Sequence, residues 1–352
     1  MKKSYLMIAA AAALFAACSS NDNFKEVEEQ ESAISFNQAL NKTTRAYIAD
    51  EAALAGEGGF IVYGYKKKTS EANWTNAQTI FDNVNVKSTN SGTSWYYDNL
   101  RFWDKNGTYN FFAIAPYNPT TGTYSLVANS APEALKFKIT GAASAISTAS
   151  DDYLIDRDGA TNVSGSYTTT HAAVDIDFHH IMAKIDFKLK STLSTGTIEV
   201  TRLVMTGWNS GAGTFTQTLT ATPTALANTE WAIPTAGTGN ITLVGSGASQ
   251  TKVALTCATD ATATDVTDWY IMVPQNIDAS TLTFTVDFTF KDGTYSETFE
   301  DQVATLTAAQ VWGTDSHTTY TLDIKPAAIE FDVTTICGFC VDGGQATPII
   351  VQ

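Results

Sequence analysis

Cysteine, histidine, proline and basic residues are all scarce in this chain: four, four, eight and 21 among 352 residues. Four cysteines over that length build no disulfide framework of the kind small secreted domains depend on. Cys18 lies near the start, Cys257 stands alone, and Cys337 and Cys340 sit close together. One Cys-x-x-Cys pair supplies half of a four-ligand zinc site, and without a strand-helix-strand setting it lacks the context of a redox motif. Cys337 and Cys340 therefore read as a local disulfide or two free thiols. His179 and His180 are adjacent on an expected strand, so their side chains leave opposite faces and do not converge on one metal. Neither a Gly-x-Ser-x-Gly elbow nor a His-Glu-x-x-His pair occurs, which removes common signatures of esterases and zinc proteases. Asp156-x-Asp158-Gly159 opens like a calcium loop but lacks the terminal Glu, and reads as a turn. The expectation is a protein with no catalytic residue, no metal and no cofactor, which is not an enzyme.

The shortage of basic residues leaves a net charge of −15. Residues 1–45 carry equal numbers of basic and acidic side chains, so their removal leaves that charge unchanged. Phosphate binding relies on Lys and Arg, and a surface of this sign repels nucleic acid.

Long apolar runs are also missing. Tyr5 to Ala17 is shorter than the roughly 20 residues a spanning helix needs, and with Lys2 and Lys3 before it and small residues after it, it reads as an export signal, 1–17. The ending Phe15-Ala16-Ala17-Cys18 resembles a bacterial lipobox, in which the Cys18 thiol takes a diacylglyceryl group and becomes the first residue. Ser19 to Glu31 is polar and acidic without strand or turn patterning, as a tether leaving a membrane should be.

What the chain has in abundance is Thr, Val, Ile, Tyr and Phe, which favour strands, arranged with period two. Ala183, Ile185, Phe187 and Leu189 alternate with Lys184, Asp186, Lys188 and Lys190, while Val174, Ile176 and Phe178 alternate in the opposite phase. The change of phase demands a bulge or kink between His179 and Met182. Leu282 to Phe290 alternates up to Asp292-Gly293, a two-residue hairpin signal that would pair Phe290 with Tyr295, Val286 with Phe299 and, awkwardly, Phe288 with Glu297. Further strands are expected at Phe60 to Tyr65, Tyr109 to Ala115, Ile198 to Thr206, Trp269 to Val273 and Tyr320 to Ile324, with short helical turns at Glu51 to Ala55 and Thr307 to Trp312. Many short strands between Gly, Asn, Ser and Thr turns mean an all-β sandwich or barrel. Trp95, Tyr96 and Tyr97 form an aromatic cluster that could stack on sugars.

Both ends of the chain carry strand-like apolar segments. Ile34, Phe36 and Leu40 share one face, interrupted by Gln38, and a polar stretch with Arg45 follows, the kind of site proteases cut. At the far end Ile329, Phe331 and Val333 alternate with Glu330 and Asp332, and the chain closes on Ile349, Ile350 and Val351.

The lipobox, Ala33-Ile34-Ser35-Phe36-Asn37 leading to Lys42-Thr43-Thr44-Arg45-Ala46, Phe102-Trp103 through Tyr109 to Pro116, Asp152-Tyr153-Leu154, Phe178 to Ile185, Ile271 to Gln275 and Tyr320 to Ile324 together resemble the fimbrillin (FimA-like, Mfa-like) family of type V pili in Bacteroidales. The resemblance spans nearly the whole chain. It implies an all-β fold of two transthyretin-like β-sandwich domains in tandem, here 46–192 and 193–352, preceded by a tether and cleavable strand, 18–45. It further implies that an arginine-specific protease cuts between Arg45 and Ala46, that the strand holding Ile34, Phe36 and Leu40 is displaced, and that a neighbour's tail, about 326–352 and including Ile349, Ile350 and Val351, fills the groove. The partners expected are other copies or related pilins, that protease, outer-membrane lipid through Cys18 before cleavage, and a host glycan or protein. The location expected is the outer membrane as a precursor, then an extracellular fimbrium. The other reading is a tip adhesin or a glycan- or protein-binding surface lipoprotein. The Cys337/Cys340 pair departs from the family pattern.

Overall fold

The structure is a computed structural model that describes residues 32–40, 48, 50–104, 106–127, 134–143, 145, 151–156, 161–164, 173–220, 230–233, 236–326 and 328–337. The chain opens with β1 (Phe36–Leu40), α1 (Glu51–Gly56), β2 (Phe60–Lys68), β3 (Gln78–Val86), β4 (Gly107–Ala115) and β5 (Thr123–Leu126). Next come β6 (Ala134–Ala142), β7 (Leu154–Asp156), β8 (Thr161–Ser164), β9 (Val174–His180), β10 (Ala183–Lys190), β11 (Thr197–Asn209), β12 (Gly213–Thr220) and β13 (Trp231–Ala232). After these run β14 (Thr238–Val244), β15 (Val253–Thr256), β16 (Thr264–Asp265), β17 (Tyr270–Met272) and β18 (Gln275–Ile277). The last are β19 (Thr283–Asp292), β20 (Tyr295–Thr305), β21 (Gln310–Trp312), β22 (Ser316–Lys325) and β23 (Ala328–Cys337). The protein is all-β, as its residues lead one to expect; α1 is the one α-helix among the described residues. Asp50 caps it by accepting the Ala53 N–H at 2.9 Å, a favoured use of Asp at a helix start.

The largest sheet runs β1-β9-β7-β4-β2-β3, with β8 also on β4. Its central strands are buried on both faces, which is why Phe111 to Ala115 reads as a continuous apolar run instead of an alternation. On one face Phe60, Val62, Phe81, Phe111, Ile176 and Phe178 pack with Leu54 of α1 and with Ile34 and Phe36. On the other, Ile61, Tyr63, Phe112 and Ile114 meet Phe137 of β6, Phe215 of β12 and Trp231 of β13. Two further sheets, β16-β10-β22-β23 with β17 and β14-β11-β19-β20 with β15, enclose a third core. Phe187, Phe284 and Tyr320 meet there at ring separations of 5.6 to 6.1 Å, and the buried Trp312 Nε1 donates to the Tyr320 hydroxyl at 2.9 Å.

Strand pairing crosses the boundary expected at 192/193 in both directions. β12 pairs with β6, from Gly213↔Ala142 to Thr220↔Ala134, and β10 pairs in parallel with β22 over Ala183↔Ser316 to Lys190↔Asp323. A cut in the chain at that point does not separate the sheets, because long-range hydrogen bonds and not sequence neighbourhood decide which strands belong together.

The phase change near His179 has a clear meaning in this arrangement. β9 ends one sheet and β10 begins another, and Ile181 and Met182 between them are both buried in the core shared by β2, β4, β6 and β12. The polar side of β10 is covered at its start: Lys184 and Asp186 are buried. The Lys184 ammonium lies 4.4 Å from the centre of the Trp269 ring, and Asp186 accepts from His317 Nε2 at 2.8 Å. Burial alone would raise the Asp186 pKa, but the His317 contact and the Lys184 charge bring it below its ordinary value. Its contribution to stability is therefore present at neutral pH and lost as pH falls through that lowered value.

Two expectations need correction. The Asp292-Gly293 hairpin forms, but its register pairs Asp292 with Tyr295 and Phe290 with Glu297, two residues from the expected alignment. In that register Phe288 opposes Phe299 with rings stacked at 4.9 Å, and farther from the turn a bulge between Val286 and Phe288 shifts the pairing so that Val286 meets Gln302. The bulge is held by Arg202, whose Nε and Nη2 donate to Asp287 at 2.6 and 2.9 Å and whose Nη2 also reaches Asp301. The second correction concerns Thr307 to Trp312, where a helical turn was expected: Gln310–Trp312 instead pairs with Gln275–Ile277 as a two-stranded sheet. Tertiary pairing outweighs a weak local preference.

Candidate functional site

The N-terminal segment is threaded between two parts of the body. Residues 32–34 run antiparallel to 101–103, with the Ile34 N–H donating to the Arg101 carbonyl at 2.8 Å and the Trp103 N–H to the Ser32 carbonyl at 3.0 Å. On its other side the Val174 N–H donates to the Ser35 carbonyl at 2.8 Å. From there β1 runs parallel to β9 at the sheet edge, Phe36↔Val174 through Leu40↔Phe178. Backbone bonds of this kind hold an extended segment whatever its sequence.

The side chains supply the selectivity. Ile34 and Phe36 are buried, 1% and 3% exposed, whereas Ser35 and Asn37 face water. Phe36 sits in an aromatic box of Phe81, Tyr97 and Phe111, with ring centres at 5.3, 5.8 and 5.6 Å and planes close to perpendicular. Edge-to-face geometry of this kind adds to the burial itself. The Tyr97 hydroxyl donates to the Ile34 carbonyl at 2.8 Å. Burial pushes that hydroxyl above the ordinary tyrosine value despite the opposing effect of Arg101, so it stays protonated as a donor. Arg101 props the same wall: its Nε donates to the Ile80 carbonyl and its guanidinium lies 4.6 Å from the centre of the Phe81 ring.

Ile34 and Phe36 thus stand together, as the face pattern of the segment predicts. For Leu40 the structure describes the backbone, paired with Phe178, and nothing of the side chain. Cys18, Arg45, Ala46, Cys340, Ile349, Ile350 and Val351 lie outside the described residues. Cys337 ends β23, its backbone opposite Ser316, while Cys257 is buried as a free thiol. The alternating segment Ile329 to Val333, read as part of a donor tail, pairs with β22 of its own chain, and Val333 enters that core.

Sequence reasoning missed the contact that secures the chain just after Arg45. Asp152 is fully buried; one carboxylate oxygen receives the Ile48 N–H at 3.1 Å and the other pairs with His180 Nδ1 at 2.8 Å. Two of the motifs noted in the sequence, Asp152-Tyr153-Leu154 and Phe178-His179-His180, meet in this one contact. His179 turns the other way toward Asp177, as adjacent strand positions must. Replacing Asp152 with Asn keeps one acceptor and removes the other, so denaturant unfolding should show a loss of about 1–3 kcal/mol.

Beside the threaded segment a cavity of about 630 Å³ is lined by Ser35, Asn37, Glu51, Thr93 and Trp95 among others. Gly92, at φ +79°, carries its wall against α1 so closely that a Cβ there would lie 2.4 Å from the Glu51 carbonyl. Of the aromatic cluster at 95–97, Trp95 packs on Phe60 at 5.0 Å, Tyr97 is buried, and Tyr96 is exposed beneath the Lys87 ammonium. Among the described residues no group of three or more His, Cys, Asp or Glu converges as a metal site, and no helix is long and apolar enough to cross a membrane.

The chain is 33% identical over 129 residues to the fimbrium subunit Fim1C of Phocaeicola vulgatus, which is 34% of this chain and 33% of that protein; the match thus spans about a third of that relative. Solved structures include a candidate cell adhesion protein of Bacteroides ovatus, at 17% identity and a TM-score of 0.39 over 89% of this chain and 99% of that one. A fimbrial assembly protein of Parabacteroides distasonis aligns at 11% identity and a TM-score of 0.33 over 86% and 96%. The family and these relatives are fimbrial and adhesion proteins, not enzymes. The model of the fimbrillin-like family matches residues 44–337, most of the sequence, and the chain belongs to that family.

Proposed function

We propose that this protein is a structural subunit of a cell-surface fimbrium, exported as a lipoprotein, cut after Arg45 and joined to other copies by strand exchange. The observation that carries the reading is the N-terminal strand itself. It fills an edge groove with Ile34 and Phe36 and is bonded on both sides by backbone groups, yet it lies on the far side of Arg45 from the body it completes. Its removal would leave open donors and acceptors beside an apolar slot, the liability that sheet edges are built to avoid. An incoming strand from the C-terminal part of a neighbour satisfies both needs, as in donor-strand complementation. The Asp152 contact to Ile48 supports the same division, because it holds the chain just past the cut while the strand before it is free to go. The family-wide region begins at residue 44, which leaves that strand outside the shared unit.

A sugar-binding tip draws less support. Trp95 is packed against Phe60, and the adjacent cavity owes Ser35 and Asn37 of its lining to the strand that cleavage would remove.

The test is to incubate purified precursor with and without an arginine-specific protease and to look for SDS-resistant ladders and filaments. Neither appearing after complete cleavage at Arg45 would sink the proposal. Lipid attachment is tested separately. Cys18→Ala precursor should fail to take up labelled fatty acid and should leave the membrane fraction, since each buried CH₂ of the anchor contributes about 0.8 kcal/mol.

A further inference from the structure

The strand at the start of the described chain and the strand at its end share a sequence. Ala33-Ile34-Ser35-Phe36-Asn37 and Ala328-Ile329-Glu330-Phe331-Asp332 are identical at Ala, Ile and Phe, and the remaining two positions exchange Ser for Glu and Asn for its isostere Asp. The pattern of identity follows the groove. Ile34 and Phe36 are the buried side chains and Ala33 bridges to Phe102, while Ser35 and Asn37, the positions that differ, face water.

We infer that residues 328–332 of a second copy are the segment that takes the place of the N-terminal strand, with Ile329 in the Ile34 site and Phe331 in the box of Phe81, Tyr97 and Phe111. This rests on the exchange reading above and assigns its donor. The backbone partners and the Tyr97 hydroxyl accept any extended chain, so specificity falls to two pockets two residues apart, one aliphatic and one aromatic. The last residues, Ile349-Ile350-Val351, offer no aromatic side chain and would place Ile350 at a water-facing position. Residues 328–332 offer the right pair and put charge only where water is.

Ile329 also gains burial by moving. In its own sheet the segment lies on an edge, where Ile329 is only half-buried, whereas the Ile34 site is closed. One position favours the original occupant: Asn37 Nδ2 donates to Asp175 at 3.3 Å, and Asp332 would bring a second carboxylate there. That mild mismatch weakens the neighbour's strand at this one position, before and after the cut alike.

The experiment uses full-length precursor, cut with arginine-specific protease in the presence of synthetic peptides of residues 328–335 or 346–352. Two signals are followed: capping of the SDS-resistant ladder, and binding of labelled peptide to the cut protein by fluorescence anisotropy. The 328–335 peptide should bind and shorten the ladder, and its Phe331→Ala form should need roughly tenfold more peptide or worse. Its Asp332→Asn form should act at roughly two- to fivefold lower concentration. Capping by 346–352 and not by 328–335 would overturn the assignment while strand exchange stood. If cut protein forms no ladder, the polymerisation reading fails; anisotropy still decides the assignment, and no binding of 328–335 overturns it.

Discussion

Replacing Phe36 with alanine should cost the uncleaved precursor about 3–5 kcal/mol, the loss typical of emptying a buried phenylalanine site. The site has little room to collapse. Phe81, Tyr97 and Phe111 surround the ring on separate elements, and Phe81 and Tyr97 also pack on each other at 5.1 Å. The deficit should be visible in urea unfolding as a lower midpoint at unchanged slope. It should disappear when the same comparison is made between mature chains beginning at Ala46, because the strand carrying residue 36 is then absent from both. A Phe36→Ala precursor as stable as the parent would mean that the strand is an ornament on the sheet, with no groove worth vacating.

Arg45→Ala should abolish assembly outright. While residues 41–47 tether the strand, its effective concentration at the groove is on the order of millimolar, and a neighbour's strand at ordinary protein concentration cannot compete. Cutting the tether turns the contest into one between two separate segments, and the exchange then runs toward the better fit. Protease-treated parent should show a new N-terminus at Ala46 and SDS-resistant ladders, and treated Arg45→Ala should remain a folded monomer. Arg101 is a poor alternative cut site, since its side chain is pinned to the Ile80 carbonyl and the Phe81 ring. Ladders from the Arg45→Ala protein, or assembled parent that starts at Cys18, would remove the cleavage step and with it the vacated groove.

The all-β character and the N-terminal segment with its two buried side chains, Ile34 and Phe36, were legible because period two exposes which face of a strand is apolar. What period two cannot say is whether the other face is wet. Lys184 and Asp186 alternate with apolar residues like any solvated row, yet both are buried, because Trp269 and His317 come from distant parts of the chain to cover them. Hairpin register was legible to within two residues. The error arose from placing Asp292-Gly293 in the turn: Asp292 instead pairs with Tyr295, Gly293 and Thr294 make the turn, and the bulge at Asp287 shifts the register only farther along the ribbon.

By itself, the sequence determined the composition of the strands, the negative surface, the apolar faces at both ends and the resemblance on which the family rested. These follow from residue type and spacing over a few residues. Only the tertiary structure decided that β6 and β12 share a sheet across the middle of the chain, that 101–103 pairs with residues 32–34 and β9 with the strand that follows them, and that Asp152 and His180 meet over Ile48. Each of these contacts joins residues well separated in the chain. Local propensity carries no information about such pairs; the burial of a shared core and the need to satisfy every buried backbone group select them.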